Sequence, residues 1–337
     1  MLWRISLCAV LAISLSAEAF AKKSDKIVVR AGTVAPEGTP WEQQIKGTKK
    51  HIRKDSGGRI KVKVYFGGAK GDEKSLVRQC RDARLEIIGV STASIGTEVP
   101  EMQVLELPFI FKTSKEADFV LDNYLYKPIG DVMKKYGYIL YQWAENGWQN
   151  IGLTDGFVKH PADLAGRKIR SQEAPVHLST WKAMGASPTE MPVSEVLPAL
   201  NTGRVDGFAQ TPLYTFAAGW YRGIKYYTIS RHLYQPGVLA YSKKFFDKVP
   251  ADLQPALMGN VQKDTEKGRK GVRRLEPGLI KNFKNYGIKV YELTDKERKS
   301  FSKPAKAVRK EFESRATPEG LALLKTIDKA VKEYRSK

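Results

Sequence analysis

The alternation of short β-branched runs with polar stretches of helical length constrains this chain more than any other feature of its sequence. Lys26-Ile27-Val28-Val29-Arg30-Ala31-Gly32 has the composition of a strand and leads into Gly38-Thr39-Pro40-Trp41-Glu42. There Thr39 can cap a helix, Pro40 suits its first position, and Glu42 can complete a capping box. Trp41, Ile45 and Ile52 fall on roughly one face, and Ser56-Gly57-Gly58 ends the helix. From Arg59 to Phe66, the apolar Ile60, Val62, Val64 and Phe66 alternate with basic residues, the pattern of a strand with one buried face. A polar helical stretch around Ser75 to Arg84 then separates it from Leu85-Glu86-Ile87-Ile88-Gly89-Val90, an apolar run that fits a buried strand. Further strands are expected at Tyr138–Gln142, Arg167–Arg170, Val205–Phe208, Val238–Tyr241 and Ile288–Tyr291. This rhythm predicts an α/β fold with a largely parallel sheet.

At 337 residues the chain exceeds the size at which one hydrophobic core keeps growing, so two domains are expected. The sequence carries neither an internal repeat nor a low-complexity tether. Two domains without a tether imply that the chain crosses between them more than once. A long helical region follows Val249-Pro250-Ala251-Asp252-Leu253-Gln254 and continues toward Tyr286, with Pro277 inside it. The missing N–H and the ring clash of a proline should kink or break that helix, and a bent helix is one way to pass between lobes.

The first residues have the form of an export signal: Arg4, an apolar run from Ile5 to Leu15, and Ala19-Phe20-Ala21 as a small-residue cleavage site. The apolar run is shorter than the ~20 residues a membrane span needs, which favours a cleaved signal over an anchor. Cys8 leaves with the signal and Cys80 is then alone, so stability comes from burial and not from a disulfide. The formal charge is +21, and it is unchanged by removal of residues 1–21, which hold one Arg and one Glu. Its Lys and Arg residues are scattered over polar helix faces without a nucleic-acid-binding signature, so a solvated basic surface is the simpler reading and attraction of anions the other.

Catalytic and metal patterns are weak. Ser179-Thr180-Trp181-Lys182 and Ser300-Phe301-Ser302-Lys303 match S-x-x-K, but neither S-D-N nor K-T-G accompanies them. His51, His160, His177 and His232 lack metal-ligand spacing, and Gly67-Gly68-Ala69-Lys70-Gly71 lacks the ending of a phosphate loop. Neither a metal nor a cofactor is expected. The informative stretch is Pro161 to Arg170, a turn and short helical step followed by a basic and apolar strand that ends in Arg170. At a strand end beside a cleft, a guanidinium is a planar fork suited to carboxylate. From these residues alone, an ordinary surface arginine fits equally well.

Several segments, in order, are similar to the DctP-type solute receptors of tripartite ATP-independent periplasmic (TRAP) transporters. They are Ser56 to Val62; Leu107-Pro108-Phe109-Ile110-Phe111; Pro161 to Arg170; Met191 to Val196 with Ala199 to Gly203; Val205-Asp206-Gly207; and Val249 to Gln254. The resemblance covers nearly all of the chain after residue 21. It implies a two-lobed periplasmic-binding-protein-like α/β fold with crossing strands and a long bent helix. It implies an export signal at 1–21, one lobe from 22–147 and 236–276, and a second from 148–235 and 277–337. It further implies a periplasmic monomer without enzymatic activity that hands a small organic acid to integral membrane subunits.

By the same resemblance Arg170 pairs with the ligand carboxylate, and Gln149, Gln210, Trp41, Thr92 and Val193 belong to the ligand site. This chain departs from the family's pattern in three places. Gly147-Trp148-Gln149 stands where a second arginine is common, Val193 where an aromatic is frequent, and Ala209-Gln210 where a Glu-Asn pair is usual. One cation beside two neutral amides suits a monocarboxylate, or a ligand with hydroxyl or amide groups, better than a C4-dicarboxylate. Two rival readings keep the fold: a periplasmic receptor serving a sensor or envelope system, and an enzyme on a two-lobed scaffold. The second lacks any acid-base or nucleophile constellation.

Overall fold

A computed structural model describes residues 26–337. The expected export signal lies outside the described residues. The strands are β1 (Ile27–Thr33), β2 (Ile60–Tyr65), β3 (Ile87–Ser91), β4 (Tyr138–Leu153), β5 (Lys168–Ser171), β6 (Ser187–Glu190), β7 (Gly207–Gln210), β8 (Tyr226–Ser242) and β9 (Lys289–Glu292). All join one sheet, in the order β2-β1-β3-β8-β4-β7-β5-β6, with β9 also paired to β8.

The largely parallel sheet expected from the sequence is corrected to a mixed one. Parallel pairs flank each end, but β4 and β8, of 16 and 17 residues, run antiparallel through the centre from Tyr138↔Ser242 to Leu153↔Tyr226. The sequence shows only the apolar ends of these strands, because their middles carry the polar residues Glu145, Asn146, Gln149 and Gln235, which alternation does not mark as strand. The register slips between Leu140 and Gln142, Glu145 and Gly147, and Gln149 and Ile151. Gly147 sits at φ +103°, a conformation that suits glycine, at the middle irregularity. β6 escapes the sequence pattern because Ser-Pro-Thr-Glu is an edge strand, where a proline is tolerated.

Period-two alternation distributes the core. In β8, Val238 and Ala240 face one cluster with Leu76, Ile88 and Leu125, while Leu239 and Tyr241 face another with Ile45, Ile52 and Ile60. Toward the other end of the sheet, Phe208 of β7 joins Trp220 and Phe283 on one face, and Ala209 joins Ile151, Ile169 and Trp181 on the other. Two buried layers at each end make two lobes on a shared sheet.

The Pro40–Asp55 helix starts as expected, with Thr39 capping the Glu42 N–H; the Glu42 carboxylate, however, takes the N–H of Gly38 at 2.7 Å and not that of Thr39. The long helix spans Val261–Asn285 and continues through Pro277, bent but unbroken. Two turns of it carry Arg269 and Arg273, whose guanidiniums reach Asp118, Asp122 and Glu145. The C-terminal helix Pro318–Arg335, placed by the sequence expectation with residues 148–235, packs its Leu323, Leu324, Ile327 and Val331 into the cluster of Leu76, Ile88 and Leu125.

His232 of β8 is buried, and its Nδ1 lies 2.7 Å from the Ser230 hydroxyl. Burial pushes its pKa down to about 3, helped by the nearby His177 and Arg298. An unfolded histidine titrates near 6.5, so the unfolded chain takes up a proton below that pH which the folded chain refuses. The resulting stability is complete above pH ~6.5 and drains away as the pH falls toward 3. Between pH 7 and pH 5 the loss from this residue is about 2 kcal/mol. Urea unfolding at both pH values should show a change in stability between pH 7 and pH 5 that differs by about 2 kcal/mol between the wild type and His232→Asn.

Candidate ligand-binding site

The turn before β5 is built locally. The Asp163 carboxylate accepts the backbone N–H groups of Lys159 and His160 at 2.7 and 2.8 Å, and Gly166, at φ +72°, turns the chain into the strand. Within β5, Ile169 enters the core on one face and Arg170 projects from the other, beside Phe208 of β7. Arg170 is only 3% exposed. Its Nε and Nη2 donate to the Met191 carbonyl at 3.2 and 3.0 Å, and its guanidinium lies 5.3 Å from the Trp220 ring centroid. Nη1 is buried and has no hydrogen-bond partner, and among the described residues no carboxylate comes within ion-pair distance of the group. Burial pushes its pKa down to about 10, partly countered by Tyr214, Glu73 and Glu173.

A cleft lies between the lobes; Arg170 is not itself in its lining, but Tyr214 and Glu73, whose charges act on the guanidinium, are. Trp41, Val193 and Gln210 line it, together with Glu73, Gln172 and Tyr214. Trp41 is held by its indole N–H on the Glu145 carbonyl at 2.9 Å, and it fits because Gly89 and Gly237 leave the sheet bare beneath it. A Cβ on Gly237 would stand 2.5 Å from the indole. Burial pushes the Glu73 carboxyl above the usual range, against the pull of Ser91, Ser94 and the Arg170 charge.

Gln149 is buried behind this lining. Its amide donates to Gln210 Oε1 at 3.4 Å and Gln235 Oε1 at 2.8 Å, and its own Oε1 has no partner. Thr92 is not in the lining. It is fully buried and hydrogen-bonds to Glu106 and, at 2.9 Å, to the Pro236 carbonyl. Glu106 also meets His177 Nε2 at 2.9 Å and Gln235 Nε2 at 3.0 Å. Across the cleft Lys74 pairs with Glu173 at 3.1 Å.

Sequence reasoning missed Glu73, Gln172, Tyr214, Gln235 and Glu106. Two of them carry a readable signal. Gln172 follows directly on the strand that carries Arg170, and Glu106 is a lone acid inside the apolar run Val104-Leu105-Glu106-Leu107. Glu73, on a helix with a polar face, carries none. Among the described residues, no cluster of side chains could hold a metal ion, and no helix is long and apolar enough to cross a membrane.

A two-lobed α/β fold on crossing strands, with a cleft beside an unpaired buried cation, defines a solute-binding receptor. The chain belongs to the DctP family, bacterial extracellular solute-binding protein family 7, which it matches over residues 31–315. The members of this family are receptors of TRAP transporters and not enzymes. A solute-binding protein of Verminephrobacter eiseniae is 32% identical over 254 residues, covering 74% of each chain. The 2,3-diketo-L-gulonate-binding periplasmic protein of Escherichia coli is 27% identical, covering 80% of this chain and 82% of its own. Among solved structures, the sugar acid binding protein of Advenella mimigardefordensis in complex with galactonate superposes with TM-score 0.85 at 30% identity, covering 91% and 99% of the two chains. A TRAP periplasmic solute-binding protein of Citrobacter koseri with bound D-glucuronate gives TM-score 0.83 at 29% identity, covering 89% and 98%.

Proposed function

We propose that this chain is a periplasmic receptor for a polyhydroxy monocarboxylate, a sugar acid, which it delivers to TRAP membrane subunits. The observation that carries this reading is the Arg170 guanidinium, buried without a counter-ion and with Nη1 unpaired. A buried unpaired cation is costly to the protein alone, and a ligand carboxylate supplies the missing charge and acceptor. The cleft wall adds the amides of Asn146, Gln172 and Gln210, the Glu73 carboxyl and the rings of Trp41 and Tyr214 among apolar residues such as Val193 and Leu213, and its polar groups suit the hydroxyls of a polyol backbone. The galactonate and D-glucuronate held by the relatives belong to this class.

In this reading residues 1–21 direct export, with cleavage near Ala21, and the mature chain acts as a monomer. One lobe comprises 22–147 and 236–276 and the other 148–235 and 277–337, except that the Pro318–Arg335 helix moves with the first lobe, on which it packs. The ligand biases an open-closed equilibrium through contacts made only when both lobes enclose it. The closed form is what the membrane subunits recognise.

A thermal-shift series on the mature chain with D-galactonate, D-glucuronate, succinate and a neutral sugar tests this. At 100 times its dissociation constant a ligand adds about 2.7 kcal/mol to stability. A rise of the melting temperature with the sugar acids alone is expected. A rise with succinate alone, or with none of the four, would refute the reading.

A further inference from the structure

We infer that the face built by Phe216, Tyr221, Leu275 and Tyr286 is a docking surface for an anionic lipid membrane. Among the described residues, the large apolar side chains that stay well exposed are Val28, Phe216, Leu275 and Tyr286. Val28 stands apart on β1. The other three come from two packed elements, the helix Pro212–Ala217 and the long helix Val261–Asn285 with its capping residue Tyr286. Apolar side chains gathered on one exposed face mark a surface that meets something else.

The aromatic part is held in place from below. The Phe216 and Tyr221 rings stack with centroids 5.2 Å apart and planes 13° apart, and Tyr286 meets Tyr221 edge-on at 4.7 Å. The buried Phe283 ring lies 6.5 Å from Phe216 and 6.3 Å from Tyr221. Phe216 is nevertheless 37% exposed and Tyr286 55%. Leu275 lies eleven residues before Tyr286, about three turns of α-helix, so both project from one side of the long helix.

The charges beside these rings are of one sign. The Arg222 guanidinium lies 5.8 Å from the Tyr221 ring centroid. Arg274, Lys281 and Lys284 are spaced by seven and three residues, which sets them in a basic row next to the row of Leu275. All four cations are exposed, and none has an ion-pair partner among the described residues, whereas Arg269, Lys270 and Arg273 of the same helix do. Glu276, the one acid between Arg274 and Tyr286, is half-buried and feels the charges of Arg231 and Arg273. Protruding rings flanked by unpaired cations match a plane of phosphates over an apolar layer. Tyr and Phe settle at headgroup level, and Lys and Arg meet the phosphates, each worth about fivefold in binding. The inference holds whichever solute the cleft takes.

Co-sedimentation of the mature chain with lipid vesicles tests it. Binding is expected to vesicles that mix phosphatidylglycerol with phosphatidylcholine, and not to phosphatidylcholine alone. Phe216→Ala combined with Tyr286→Ala should weaken it about tenfold. Arg274→Glu combined with Lys281→Glu should weaken it about 30-fold or more. Lys61→Glu combined with Lys63→Glu makes the same change of charge on edge strand β2, and should cost less than about threefold. All six replaced side chains are exposed, so the variants keep the fold. Equal losses from the two charge reversals would mean that the overall charge of +21 attracts the vesicles without a preferred face, which overturns the inference. An unchanged affinity in the aromatic variant overturns it too. So does a failure to bind the anionic vesicles, which would leave this face to a protein partner.

Discussion

Arg170→Ala weakens binding of the carboxylate ligand by about 2–5 kcal/mol, the range for removing one partner of a buried, hydrogen-bonded charge pair. At 1.4 kcal/mol per tenfold this is about 30-fold to several thousand-fold in dissociation constant, read by calorimetry. The effect lies toward the upper end if the ligand carboxylate loses its only cation, and among the described residues no second arginine shares the position. Folding should move in the opposite direction. The wild type keeps the guanidinium 3% exposed with one nitrogen unpaired, so its removal relieves a buried charge in the empty receptor. An unfolding midpoint equal to or above that of the wild type, together with lost affinity, is the expected pair of results. Less than a threefold change in affinity would remove Arg170 from the ligand contacts.

Arg273→Ala destabilises the fold by about 3–5 kcal/mol, because it breaks a buried ion pair from one side. Arg273 donates to both oxygens of Asp118 at 2.6 and 2.7 Å and lies 2.7 Å from Glu145 Oε2, and Glu145 is only 2% exposed. In the variant Glu145 keeps only the Tyr234 hydroxyl, at 3.1 Å. Burial already pushes the Glu145 carboxyl above its usual range, and Arg273 is the main influence holding it down. Without the arginine its folded pKa rises further above the unfolded value, so the penalty from Glu145 is absent at low pH and grows as the pH climbs through that raised pKa. Urea titrations should therefore show a larger deficit at pH 8 than at pH 5. An equal deficit at both would mean that Glu145 is not the group left uncompensated.

The outer strands and the first helix are legible in the sequence because each buries one face, and alternation or a capping residue marks it. Ile60-Lys61-Val62-Lys63-Val64 could be little else than a half-buried strand. The central pair is not legible, because Glu145, Asn146, Gln149 and Gln235 are polar residues in largely buried strands, and their hydrogen-bond partners lie far away in sequence, such as Arg273 for Glu145 and Glu106 for Gln235. The site divides in the same way. Trp41, Val193 and Gln210 lie on the cleft wall and Arg170 beside it, whereas Thr92 is set apart in the Glu106 network. Glu73 and Tyr214 reach the cleft only through helix packing, which one sequence does not display. Pro277 shows the limit of a local rule: it forgoes its own hydrogen bond, yet the turn before it is held by Arg269 and Arg273, and the helix carries on.

Both lobes draw on β4 and β8, and Gln149 and Gln235 sit on those same two strands. In the proposed function, the ladder that would flex as the lobes close is therefore also the ladder whose polar side chains pack behind the cleft wall. Chimeras that exchange one lobe with a relative would splice through that ladder and change recognition and motion together, so selectivity in this scaffold is not a detachable module.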